Sequence, residues 1–153
     1  MALVVVHAPG DGFCFFHCVS MFLRRSHVPD EDHMCYVRDA IIAWVWKYFQ
    51  RFSSDPSNVF VQGLRIAATE ESQPTVRDYL RRVRERGFGG SEMHIGASHV
   101  FRINVVVHTA PKRSFESSRP PTKPVRTMHV LYSGRIHYDL LVVQKGRQKV
   151  RVA

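Results

Sequence analysis

The spacing of apolar and polar positions changes several times along the chain, and each change marks an element. Leu3 to Val6 is a β-branched apolar run that stops at Pro9-Gly10-Asp11-Gly12, which predicts a short strand entering a tight turn. From Cys14 to Leu23, Phe15, Val19 and Phe22 recur at helical spacing, so a helix is expected to begin at the cysteine. A polar loop holding Pro29-Asp30-Glu31-Asp32 follows, and then Val37, Ile41, Val45, Tyr48, Phe49 and Phe52 trace a long amphipathic helix. Ser53 to Gln62 reads as loop, with a turn at Asp55-Pro56-Ser57-Asn58. Thr75 and Asp78 form a capping box before Val76, Tyr79, Leu80 and Val83, opening a basic helix that ends at Gly87. Ser91 to Val100 is the next expected helix, with Ser91 as its N-cap.

The remainder reads as strands. Ile103 to His108 is β-branched and free of charge, the pattern of a buried strand. Residues 110–125 are rich in Pro, Ser, Lys and Arg and are expected to form an exposed loop. Met128 to Tyr132 and Ile136 to Val143 predict an antiparallel hairpin around Ser133-Gly134-Arg135, and a basic tail covers residues 145–153. Strands and helices mix without regular βαβ alternation. The expected class is therefore α+β: a small, mostly antiparallel central sheet flanked by helices, with residues 1–153 as a single domain.

Composition limits the function classes. No apolar run approaches the roughly 20 residues of a membrane span, and the N-terminal Met1 to Val6 lacks the basic start of a signal peptide. Three cysteines without framework spacing suit a reducing compartment, so a cytoplasmic location is expected, and the chain is expected to be a monomer. The net charge of +9 raises nucleic-acid contact through a basic surface as a rival function, against the ordinary reading of a solvated face with a basic tail.

The chemistry concentrates at two distant places. Cys14 stands after a glycine-bearing turn and at the start of a helix, where unpaired N–H groups and the positive dipole end favour thiolate and lower a thiol's pKa. A free cysteine is most often a small buried apolar residue, the reading kept for Cys18. His137 and Asp139 are two apart in a strand-like segment, so both side chains point to one face and a base arrives together with its orienting carboxylate. His17 and His129 are rival bases, without a carboxylate at that spacing. A nucleophilic thiol, an imidazole and a carboxylate are the parts of a thiol-protease triad, which is recognised by roles and geometry rather than chain order. Asp11 and Gly12 would shape the loop whose backbone N–H groups receive the oxyanion. Cys14, His17, Cys18, His27, His33 and Cys35 also fall in a short span, but Cys14-x-x-His17-Cys18 is not a usual zinc spacing, so no metal is expected.

At these residues the chain resembles a family. Asp11-Gly12-Phe13-Cys14-Phe15-Phe16-His17 is similar to the nucleophile motif of the ovarian-tumour (OTU) cysteine proteases, Asp-Gly-Asn-Cys-Leu-Phe-Arg, and His137-Tyr138-Asp139 resembles their closing motif. Between them, Gly87-Phe88-Gly89-Gly90-Ser91-Glu92-Met93 and Ile103-Asn104-Val105-Val106-Val107 are similar to the family's Trp-Gly-Gly segment, following helix and central strand. Phe13 stands where the motif has Asn, and Phe88, expected to pack in the core, stands where the family often has Trp. The segment Leu131 to His137 is most similar to virus-encoded members of nairovirus type.

The resemblance implies a deubiquitinating protease that needs no cofactor, with Cys14, His137 and Asp139 catalytic. Its substrate would be ubiquitin on a lysine, extending to interferon-induced ubiquitin-like modifiers, in the host cytoplasm if the chain is viral and so against innate immunity. Polyprotein processing by the same chemistry, or a catalytically weak module that binds RNA or host proteins, are the alternatives. The arginine-bearing tail of ubiquitin would call for carboxylates along its path, for which Asp30, Glu31, Asp32, Glu70 and Glu71 are candidates.

Overall fold

The computed structural model describes residues 2–109, 113–124, 126–133 and 137–144. The chain runs β1 (Ala2–Val6), α1 (Cys14–Arg24), α2 (Glu31–Phe52), α3 (Val59–Glu70), α4 (Val76–Arg86), α5 (Ser91–Phe101), β2 (Ile103–Thr109), β3 (Arg113–Ser118), β4 (Arg126–Ser133) and β5 (His137–Gln144). The strands form one sheet in the order β1-β5-β4-β2-β3, with β2 and β4 parallel and the other pairs antiparallel. The sheet is thus mostly antiparallel and flanked by helices, as the sequence predicts. Helix α1 packs on β5, α2 covers α1 and α5, and α5 lies against β2 and β3.

Local chemistry explains the boundaries. Asp30 caps α2 by accepting the His33 N–H at 3.0 Å, and Glu31 and Asp32 form its first turn, where their charge favours the helix dipole. The expected polar loop at Asp30-Glu31-Asp32 is therefore shorter, and these acids start a helix. The Thr75 capping box is present: its hydroxyl accepts the Asp78 N–H at 3.1 Å. At α5 the cap is Gly90 rather than Ser91, and Glu92 reaches back to accept the Gly90 N–H at 3.0 Å.

Two elements depart from expectation. Helix α3 begins at Val59, inside the stretch expected to be loop; Asn58 caps it by accepting the Val61 N–H at 3.0 Å, and it buries Val61, Leu64 and Ala68. Val59 and Ile66 on the same helix are exposed, which blurs the apolar stripe in the sequence. Strand β3 lies within the expected 110–125 loop. It is an edge strand paired only with β2, and Arg113 to Glu116 are exposed, so no alternation of apolar residues announces it. The expected turn at Gly134-Arg135 and the basic tail at 145–153 lie outside the described residues.

The core joins both layers: Phe16, Val19 and Met21 of α1, Ile41 and Val45 of α2, Met93 and Ala97 of α5, and Val105, Met128, Val130 and Leu140 of the sheet are almost fully buried. Close contact between α2 and α5 requires Gly96, because a Cβ there would stand 2.8 Å from the Ile41 methyl group.

Candidate active site

Strand β5 is an inner strand, but β1 pairs with it only from Leu140 onward. The opening residues of β5 extend past β1, and the start of α1 fills that place. The Tyr138 N–H donates to Cys14 Sγ at 3.4 Å, and the Cys18 thiol, one turn later on the same helix, donates to the Tyr138 carbonyl at 3.5 Å. Two sulfurs of α1 thus clasp one residue of β5. His137 and Asp139 flank that residue, so the three predicted triad members lie around one position of β5.

His137 Nε2 lies 2.8 Å from Asp139 Oδ1. A carboxylate only accepts, so Nε2 carries the hydrogen and Nδ1 is left as the basic nitrogen. Asp139 is 5% exposed and is held by more than its histidine. Its Oδ1 also accepts the Ala8 N–H at 2.8 Å, and His7 Nδ1 lies 3.3 Å from Oδ2. Burial by itself raises the carboxyl pKa, but the Ala8 N–H, His137 and His7 together bring it below the ordinary carboxylate value. Neither Ala8 nor His7 was legible as a site residue, because both contacts join the first strand's end to a position more than 130 residues away.

Cys14 is 4% exposed. Burial pushes its thiol pKa up, against the N–H groups of Tyr138, Phe15 and Cys14 itself, which lower it; the Asp11 carboxylate adds to the rise. The helix start does supply N–H groups to the sulfur, as expected, but desolvation outweighs them and the expected lowering is not found. The net effect at this sulfur is a shift toward the neutral thiol.

The turn before Cys14 is built as the sequence anticipates. Asp11 Oδ1 accepts the Phe13 N–H at 2.9 Å, and Oδ2 lies 3.1 Å from His17 Nε2. Gly12 takes φ +87°, in the left-handed region that favours glycine. A Cβ there would also meet the Arg86 carbonyl oxygen at 2.5 Å and the Phe88 ring at 2.9 Å. Phe13 is the helix N-cap without a side-chain cap bond, and its ring packs under the Arg38 guanidinium at 5.3 Å. Phe88 is 44% exposed rather than a core residue. It lies over Gly12 and, with Gly89, Met93 and Tyr138, walls a narrow cleft at Cys14. Behind that cleft His94 stacks on Phe15 with ring centroids 4.4 Å apart and bonds Ser117 through Nδ1 at 2.6 Å; burial lowers its pKa to about 4.

The five candidate tail-binding carboxylates do not line this cleft. Asp30, Glu31 and Asp32 stand at the start of α2, beside the far end of α1, where Ser20 meets His33 at 2.7 Å. Glu71 pairs with Arg82 at 3.0 Å, and Glu70 is exposed at the end of α3. Among the described residues no three His, Cys, Asp or Glu side chains converge as metal ligands. The rival bases have other partners: His17 faces Asp11, and His129 Nδ1 lies 2.9 Å from His108 Nε2.

Comparison of the sequence with family models and with curated proteins finds no match. Solved structures do match. The OTU domain of OTUD1 superposes with a TM-score of 0.67 at 11% identity, covering 92% of this chain and 86% of that one. The Hazara virus OTU bound to ubiquitin gives 0.65 at 19% identity over 94% and 83%. The viral OTU domain protease from Dera Ghazi Khan virus gives 0.62 at 17% identity over 94% and 82%. With five helices around a five-stranded, mostly antiparallel sheet, and at coverage this complete, the chain has the fold of the OTU domains.

Proposed function

We propose that this chain is a ubiquitin-cleaving cysteine protease in which Cys14 is the nucleophile, His137 the general base and acid, and Asp139 the carboxylate that orients His137. The observation that carries the reading is the clasp at Tyr138: its N–H on Cys14 Sγ at 3.4 Å, with His137 and Asp139 bonded at 2.8 Å on either side of it. The fold adds support, since a neighbour is an OTU domain bound to ubiquitin.

In the first step His137 Nδ1 takes the thiol proton as Sγ bonds to the carbonyl carbon of the substrate's C-terminal glycine. The oxyanion is received by backbone N–H groups of the turn. The Phe13 N–H is committed to the Asp11 side chain, so the donors come from Asp11, Gly12 or Cys14. Collapse breaks the C–N bond, and His137 returns the proton to the departing lysine amine. Water then attacks the thioester, giving its proton to His137, and the thiol is restored. The narrow cleft favours a chain without side chains at the reacting end, as a glycine tail provides.

The finer reading follows the motifs. The protein is virus-encoded and acts as a monomer in the host cytoplasm, on ubiquitin conjugates and on interferon-induced ubiquitin-like modifiers, so that removing them counters innate immunity. Cutting its own precursor would use the same chemistry. Nucleic-acid contact is the weaker second reading. Arg81, Arg82 and Arg84 of α4 already pair with Asp78, Glu71 and Asp39, and six of the 22 Lys and Arg (112, 135, 145, 147, 149 and 151) lie outside the described residues.

The test is ubiquitin carrying an electrophile in place of its last glycine. The parent should give one covalent adduct by intact mass and Cys14→Ala none. No adduct with the parent, together with a salt-sensitive shift of labelled RNA, would favour the binding module.

A further inference from the structure

Asp11 is the residue through which the turn before the nucleophile is tied to α1. One of its oxygens accepts the Phe13 N–H at 2.9 Å, and the other faces His17 Nε2 at 3.1 Å. His17 sits one helical turn after Cys14, and its side chain is 3% exposed while that of Asp11 is 45% exposed. The histidine is therefore the fixed member of the pair, and the carboxylate is the member that needs fixing. Since the carboxylate only accepts, His17 Nε2 carries the hydrogen. His17 Nδ1, buried and without a partner among the described residues, is the ring's lone pair. That bonded hydrogen is present in the neutral and in the protonated ring alike.

The same turn supplies the oxyanion donors. If Asp11 swung toward solvent, the Phe13 N–H would lose its acceptor, and the Gly12–Phe13 peptide plane, next to a Gly12 that already holds φ +87°, would keep only the hydrogen bond on its carbonyl side. Hydrogen bonds to an oxyanion depend steeply on where the N–H groups point before the reaction begins. On the opposite side the turn is braced by the Phe88 N–H, which donates to the Gly12 carbonyl at 2.9 Å. On the α1 side the His17 N–H donates to the Phe13 carbonyl at 2.9 Å, but the brace on the Phe13 N–H is the Asp11 carboxylate, and the side chain that holds that carboxylate is His17.

We infer that His17 is a positioning residue: by holding Asp11 it aims the backbone N–H groups of the turn at the oxyanion, and it takes no part in proton transfer. The inference rests on the reading of Cys14 as an acyl-forming nucleophile. It also separates the two halves of the site. Asp139 and its partners aim the base, and Asp11 with His17 aims the oxyanion donors.

Three readouts on three variants test it: turnover of a ubiquitin C-terminal amide, alkylation of Cys14 by iodoacetamide, and hydrogen exchange at the Phe13 amide. Alkylation displaces iodide and develops no oxyanion, so it reports the thiol alone. His17→Leu should lower kcat by about 10- to 100-fold, less than deleting an oxyanion donor outright, with KM changed by less than about twofold. Its Cys14 should alkylate at the parent rate within about twofold, and its Phe13 amide should exchange at least about tenfold faster. His17→Gln, whose side-chain amide nitrogen reaches the place of Nε2, should recover kcat to within about threefold. Asp11→Ala combined with His17→Leu should be no slower than Asp11→Ala alone, because the histidine acts only through the carboxylate. Alkylation falling in step with kcat would overturn the inference by showing that His17 serves the thiol. An unchanged kcat, or unchanged Phe13 exchange, in His17→Leu would overturn it as well. Should the parent fail to cleave any ubiquitin amide, the proposed function falls, and the Phe13 exchange rate alone still decides whether His17 holds the turn.

Discussion

Gly12 and Gly87 lie back to back: a Cβ placed on Gly87 would stand 2.0 Å from the Gly12 carbonyl oxygen, the same oxygen that accepts the Phe88 N–H. Both residues have positive φ, +87° and +84°. The turn before Cys14 and the end of α4 thus share a contact that tolerates no side chain.

Gly87→Ala is expected to be severe. The left-handed backbone costs an alanine about 1 kcal/mol or more, and the overlap with backbone cannot be relieved by turning a side chain, so a total loss of about 2–4 kcal/mol is expected. Urea unfolding measures the loss. Turnover should fall further than stability, because the displaced atoms belong to the oxyanion turn.

Asp139→Ala should cost less activity than His137→Ala. On the proposed roles, removing the base takes away proton transfer in both steps, whereas water or a neighbouring carbonyl partly replaces an orienting group. Comparison of kcat/KM for the two variants checks the order. A linked effect appears in stability. The Asp139 carboxyl has a folded pKa below the ordinary 3.8, so its contribution is present above that value and is lost as pH falls through the folded pKa. Parent and Asp139→Asn should therefore differ in urea midpoint at pH 6 and converge in strong acid.

His94 gives an acid-sensitive slope of its own. Burial holds it neutral, with a pKa of about 4 against an ordinary 6.5. Between those values the unfolded chain binds the extra proton, so stability falls as pH drops from 6.5 toward 4 and has no further slope from this group below that. The loss is of order 3 kcal/mol over the window. Urea unfolding at steps of pH should show it in the parent and not in His94→Asn, which keeps a polar partner for Ser117.

The resting thiol should behave as a neutral one. Burial raises the Cys14 pKa above its ordinary 9.0, so alkylation by iodoacetamide should climb through pH 8 and 9 instead of levelling near neutrality. A plateau below pH 7 would mean that the free enzyme already holds a thiolate.

Much of the machinery could be read from the chain because it is local. Cys14 at a helix start, His137 and Asp139 on one strand face, and the Thr75 box each depend on neighbours within a few positions. What could not be read is what folding brings from afar: Ala8 and His7 on Asp139, or Tyr138 between two sulfurs. Edge strand β3 and helix α3 escaped for a different reason. Arg113 to Glu116 bury little, and exposed Val59 and Ile66 put apolar residues on the wrong face, so neither segment displays its own period. Phe88 shows the same limit, since an aromatic residue between glycines reads as core but here roofs a cleft.

The position of β5 ties assembly to chemistry. The last strand of the described residues is inserted between the first strand and β4, so β1 has no neighbour in the sheet until β5 arrives, and β5 carries His137. Cys14 precedes His137 by more than a hundred residues, so synthesis makes the thiol well before the strand it must meet. On the proposed roles, the strand that completes the sheet by pairing β1 is also the one that brings the base to the thiol.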